Sequence, residues 1–176
     1  MTAVVLGAAG GIGSHVVEAL LARGREVRAV TRTPAPVPDG AEPRVADLRD
    51  PAALRAAVAG ADLVVHAAQP AYTRWPQEFP ALTAAIADAA DGKRLLFADN
   101  LYGYGPVDGP LHEDLPGVAT DAKGRVRVAM ATISAVAAIS RLSGAINSRL
   151  RRATSSSRIC RRSSRRWAVM PSAPAR

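Results

Sequence analysis

Ten consecutive residues near the start constrain this chain more than any others: Val4-Val5-Leu6-Gly7-Ala8-Ala9-Gly10-Gly11-Ile12-Gly13. Thr2 to Leu6 is an apolar run with β-branched residues that stops at a glycine, the pattern of a short strand buried on both faces. From Gly11 to Arg23 the apolar residues Ile12, Val16, Val17, Ala19, Leu20 and Leu21 fall at helical spacing, and Gly24 follows as a stop. A G-x-x-G-x-x-G between strand and helix gives each glycine a reason. Gly7 turns the chain sharply off the strand, Gly10 keeps side-chain atoms away from a bound diphosphate, and Gly13 lets the helix lie close to the sheet. The helix mouth then offers free N–H groups and a partial positive charge to phosphates. A plain tight turn would also use such glycines. Strand, triplet, helix and second strand within about thirty residues favour nucleotide binding, with Ala9, Gly11 and Ile12 completing the loop.

The rest of the chain extends the alternation. Glu26 to Thr31 reads as a second strand. Thr33 to Pro43 holds four prolines and a glycine, so it is expected to be a surface loop, neither helix nor central strand. Arg44 to Leu48 is expected as a third strand, and Asp50-Pro51 opens an Ala-rich helix ending near Gly60. Asp62 to Ala67, a helix around Gln77 to Ala90, and Lys93 to Ala98 follow as strand, helix and strand. This order specifies an α/β fold, a doubly wound parallel sheet of the Rossmann type, because parallel neighbours need crossover connections. Beyond it lie a Gly/Pro-rich loop, Asn100 to Asp121, and one more helix from Ala122 to about Arg141. The expected division is a nucleotide-binding domain over residues 1–141 and a basic tail over 142–176.

The net charge of +8 would suggest nucleic acid or an anionic membrane unless it is confined to one segment. Ten arginines and no acid fall in residues 141–176, leaving thirteen basic residues to face all 15 acids, so residues 1–140 are slightly acidic. The tail from Ala153 onward is almost entirely Arg, Ser, Ala and Pro without an apolar stripe, which reads as disordered. It resembles the product of a GC-rich gene read out of frame. Anionic-polymer binding through this tail is an alternative; Trp167 is its only aromatic and no base-reading motif accompanies it, so no specific nucleic acid is expected. Cys160, the lone cysteine, cannot close an intramolecular disulfide, and three scattered histidines make no metal cluster, so no metal is expected. Without a basic leader or a run of 18 apolar residues, the chain reads as cytoplasmic with no membrane partner.

The end of the second strand selects the dinucleotide. NAD-selective sites place Asp or Glu there to accept from the ribose 2′-OH, whereas this chain has Thr31-Arg32-Thr33 and no acid between Glu26 and Asp39. Arg32 attracts a 2′-phosphate and can bond it bidentately, which favours NADP, with NAD as the alternative.

These residues resemble the extended short-chain dehydrogenase/reductases, in particular the NAD-dependent epimerase/dehydratase group. The resemblance covers roughly Thr2 to Met130 and rests on Gly7 to Gly13, Asp47-Leu48, Val65-His66-Ala67-Ala68, Tyr104-Gly105-Pro106 and Leu111 to Pro116. It implies Asp47 and Leu48 beside the adenine and His66, Ala67 and Ala68 along the cofactor's edge. It also implies hydride transfer assisted by a Tyr-x-x-x-Lys pair, with a Ser or Thr after the fifth strand orienting the substrate oxygen. The chain departs at each catalytic place. Asn100 stands where Ser or Thr is expected, Lys123-Gly124-Arg125-Val126-Arg127 stands where Tyr-x-x-x-Lys is expected, and no Tyr follows Tyr104. Asn100 can still orient a carbonyl and Lys123 or Arg127 can supply positive charge; Tyr102 and Tyr104 are the candidate replacement proton donors, with loop aromatics packed over the sheet edge as the favoured alternative reading. The family's sixth strand and small substrate domain have no counterpart after Arg141. Two readings therefore stand: an enzyme acting on a small carbonyl or sugar-like substrate, or a non-catalytic NADP-binding sensor or truncated relic.

Overall fold

The computed structural model describes residues 1–112 and 114–133. The far end of the last expected helix, the domain boundary at 141 and the tail over 142–176 with Cys160 and Trp167 lie outside the described residues.

Five strands, β1 (Thr2–Leu6), β2 (Glu26–Thr31), β3 (Glu42–Val45), β4 (Leu63–His66) and β5 (Arg94–Phe97), form one parallel sheet in the order β3-β2-β1-β4-β5. Helices α1 (Gly11–Leu21), α2 (Pro51–Val58) and α3 (Trp75–Ala89) connect them, and a helical stretch over residues 122–133, α4, follows β5. The doubly wound sheet expected from the sequence is therefore the fold.

The apolar run of β1 is central because both of its faces are covered. Val4 and Leu6 pack with Val30 and Val64 against Leu54 and Val58 of α2 and Ile86 of α3. Val5, on the opposite face, packs with Ala29 and Val65 against Val17 of α1. Each fully buried Val, Leu or Ile contributes about 1.5–3 kcal/mol of transfer free energy. Local signals agree: Asp50 Oδ1 accepts from the Ala52 N–H at 2.8 Å and Pro51 fills the first turn of α2, a cap worth about 1 kcal/mol.

Two element boundaries correct the sequence reading. The third strand is Glu42–Val45, not Arg44 to Leu48, and it contains Pro43. β3 lies at the sheet edge, where a residue without an N–H is tolerated because only one side bonds. Helix α3 begins at Trp75, earlier than Gln77, since Pro76 occupies a first-turn position where its missing N–H costs nothing.

Candidate functional site

The turn from β1 into α1 is built on three glycines with different duties. Gly7 has φ +85°, and a Cβ there would sit 2.6 Å from the Ala68 nitrogen, so the loops after β1 and β4 meet backbone to backbone. The N–H groups of Gly7 and Ala8 both donate to the Val30 carbonyl, at 3.0 and 3.1 Å, tying the turn to β2. A Cβ on Gly13 would overlap the Gly7 carbonyl, so Gly13 is a packing glycine behind the loop. Gly10 and Gly11 face open space, since a Cβ on Gly10 would meet only the Gly7 oxygen at 3.4 Å and one on Gly11 would meet nothing within 4 Å. Gly10 is the N-cap of α1, no side chain caps it, and the first turn holds no acid. The first-turn N–H groups of Gly11, Ile12 and Gly13 thus lack intrahelical acceptors, and the mouth suits an anion.

That mouth opens into a cleft of about 1030 Å³ outside the carboxyl ends of β1, β2 and β4. The connections from β1 and β4 leave for opposite faces of the sheet, which makes this the crevice where doubly wound sheets bind ligands. Gly7, Ala9, Gly10, Gly11 and Ile12 line one wall and Arg32 lines the end of β2. Asp47 and Leu48 line the end of β3, and Ala67 and Ala68 the end of β4. Of the expected cofactor residues, only Gly13 and His66 are absent from the lining. Sequence reasoning missed Arg49, Gln77 and Glu78, which also line the cleft. Arg49 directly follows Asp47-Leu48 and could have been found from that; the α3 residues are set there by packing.

The charged wall is organised by ion pairs. Asp47 Oδ1 accepts from the Arg49 backbone N–H and Nε, both at 3.0 Å, and Asp47 Oδ2 accepts from Arg49 Nη2 at 2.6 Å. These bonds, helped by the charge of Arg32, hold the Asp47 carboxyl down to about 2. Glu78 pairs with Arg74 at 2.6 Å. Exposed Arg32 has no hydrogen-bond or ion-pair partner among the described residues.

The residues considered for catalysis lie elsewhere. Asn100 Oδ1 accepts from the Tyr102 N–H at 3.1 Å and caps the turn Leu101–Tyr104, which carries both tyrosines. Lys123 Nζ lies over the Tyr72 ring. Arg127, only 1% exposed, packs over Trp75 and Phe79 with its guanidinium carbon 4.4 and 4.7 Å from the ring centroids, and pairs with Asp99 at 3.1 Å. Burial lowers the pKa of Arg127 and Asp99 opposes the shift. None of these five residues lines the cleft. His66 lies in the core, its ring near Phe79 and Phe97 and its Nε2 3.5 Å from Thr83 Oγ1. Burial, then the charge of Arg127, push it down to about 3. Among the described residues, no group of three or more His, Cys, Asp or Glu could hold a metal, and no helix is long and apolar enough to cross a membrane.

Residues 7–142 match the model of a family described as NAD(P)H-binding. No curated protein sequence matches the chain. Among solved structures, the chain is similar to the UDP-glucose 4-epimerase of Thermus thermophilus in complex with NAD, at 28% identity and a TM-score of 0.67, covering 80% of this chain and 52% of that one. It is similar to MoeE5 in complex with UDP-glucose and NAD, at 29% identity and 0.66, covering 78% of this chain and 49% of that one. A short-chain dehydrogenase/reductase superfamily protein from Agrobacterium tumefaciens with bound NAD gives 29% and 0.65, covering 76% of this chain and 44% of that one. The chain therefore spans about half the length of these structures.

Proposed function

This chain belongs to the NAD(P)H-binding family, and from that premise we propose that its cleft holds NADP(H), the diphosphate at the mouth of α1 and the adenosine 2′-phosphate at Arg32. The observation that carries this reading is the uncapped mouth of α1, with Gly10 and Gly11 facing open space beside the cleft. Main-chain N–H groups there can surround a diphosphate without side-chain interference. The choice of NADP rests on Arg32, which has no hydrogen-bond or ion-pair partner among the described residues, and on the lack of an acid at the end of β2. NAD, the dinucleotide bound in the relatives, is the alternative.

A bound nicotinamide dinucleotide supplies hydride exchange at its ring. The chain's own contribution is to hold the phosphates, bracket the adenosine between the ends of β2 and β3, and cover it with α3. A small carbonyl or sugar-like compound, the class suggested by the UDP-glucose-bound MoeE5 and the UDP-glucose 4-epimerase, is the substrate we propose for an active protein. Binding without turnover is the second reading, favoured by the placement of Tyr102, Tyr104 and Lys123 outside the cleft lining and of Arg127 inside the core.

Calorimetric titration with NADPH and NADH tests the binding. Gly10→Asp is expected to abolish both affinities, because a carboxylate there meets the diphosphate sterically and electrostatically. Arg32→Asp is expected to shift the preference toward NADH. Unchanged affinities in both variants would place the site elsewhere.

A further inference from the structure

Resting on the NADP(H) reading, we propose that Arg49 is a second ligand for the adenosine 2′-phosphate and that Asp47 positions it. β2 and β3 are parallel neighbours with Thr31 opposite Val45, and the Ala46 N–H extends the ladder to the Thr31 carbonyl at 2.9 Å. Arg32, Asp47 and Arg49 therefore leave adjacent strands at the same end of the sheet, and all three line the cleft.

The bonds between Asp47 and Arg49 are one-sided. The carboxylate takes Nε and Nη2 of the guanidinium. A guanidinium has five N–H donors in a fixed fork, so the two on Nη1 and the second on Nη2 remain, and no described residue accepts them. The Arg49 side chain is 63% exposed, so those donors are within reach of a ligand in the cleft. Glu78, the other acid lining the cleft, is paired with Arg74, and its charge also acts on Arg49 without hydrogen-bonding it. The corner thus holds two cations, one carboxylate that fixes the direction of a guanidinium, and the charge of Glu78 within reach of Arg49. A phosphate dianion placed there finds Arg32, which makes no hydrogen bond among the described residues, and the oriented Arg49, an arrangement that matches planar bidentate recognition.

The test is equilibrium titration with NADPH, NADH, adenosine 2′,5′-bisphosphate and 5′-ADP on the full chain, with circular dichroism to verify folding. Arg49→Gln is expected to weaken NADPH and the 2′,5′-bisphosphate about tenfold, the effect of losing about 1.4 kcal/mol, while NADH and 5′-ADP change less than twofold. Arg49→Lys, which keeps the charge and loses the fork, is expected to fall between the two. An equal loss for NADPH and NADH would overturn the proposal, since Arg49 would then serve the adenine or the fold. So would an Arg49→Gln protein that binds NADPH as tightly as wild type. A wild-type chain that binds none of the four probes overturns the NADP(H) reading itself, which distinguishes the two failures.

Discussion

His66 ends β4 on the same side of the sheet as Val64, with its ring among Phe79, Phe97 and Thr83 and its Nδ1 without a hydrogen-bond partner among the described residues. Its pKa of about 3 in the folded protein compares with about 6.5 in an unfolded chain. Above the unfolded value neither state holds the proton and stability is complete. As pH falls below it the unfolded chain takes a proton that the native core refuses, so stability declines until about pH 3. At about 1.4 kcal/mol per pH unit, roughly 2 kcal/mol should be lost between pH 6.5 and pH 5. The lowered carboxyls of Glu26, Glu42, Asp47 and Asp121 release their contribution at more acidic pH, outside this window. Urea unfolding at pH 7 and pH 5 should show the loss in wild type and a much smaller one in His66→Leu; equal losses in both would remove His66 as the cause. The resemblance placed His66 beside the cofactor with Ala67 and Ala68, and only the alanines line the cleft. Strand alternation turns the histidine under α3, whereas the two alanines lie past the strand end.

α4 is held to α3 by an apolar set with a cation inside it. Val126 and Met130, one turn apart, pack with Trp75 and Phe79, and Arg127 lies across both aromatic rings. Asp99, at 3.1 Å, is its ion-pair partner, and among the described residues Nε, Nη1 and Nη2 have no well-aligned hydrogen bond. A buried guanidinium with one partner loses more hydration than it regains, and stacking on the rings returns about 1–2 kcal/mol of that. Arg127→Met should therefore leave the melting temperature unchanged or raise it, while Asp99→Ala, which strands the cation, should lower stability by about 1–3 kcal/mol, discounted because Asp99 is 36% exposed. A marked fall in Arg127→Met would mean that the cation anchors the helix. The start of α4 was legible in the chain because Asp121 accepts from the N–H groups of Lys123 and Gly124, a local signal. The bounds of β3 were not, since the tolerance of Pro43 depends on the strand lying at an edge, and sheet order is not local information. The same contrast holds for the site: the glycine loop and Arg32 follow from local turn chemistry, while Glu78 reaches the cleft through the packing of α3.

At the scale of the whole molecule, the cleft is assembled from five separated stretches, the loops after β1, β2, β3 and β4 and one side of α3. An unfolded chain brings none of them together, so a dinucleotide can bind only the native state, and its binding free energy adds to stability through mass action. The phosphate loop is bonded to β2 through Val30 and packed on the loop after β4 through Gly7 and Ala68. A ligand gripped there braces the three central strands together. At a hundredfold excess over its dissociation constant, NADPH should add about 2.7 kcal/mol, a rise in melting temperature of roughly 5–10 °C for a chain of this size. A thermal scan with and without NADPH reads this directly, and Gly10→Asp should abolish the rise while keeping its own unliganded melting temperature close to wild type, because a Cβ at Gly10 meets only the Gly7 oxygen at 3.4 Å. Gly13→Ala is the contrasting case: a methyl there overlaps the Gly7 carbonyl, so the unliganded protein itself should melt lower. If Gly10→Asp and Gly13→Ala lowered the unliganded melting temperature alike, the open glycine would be a packing residue, and the division of labour within the loop would be wrong.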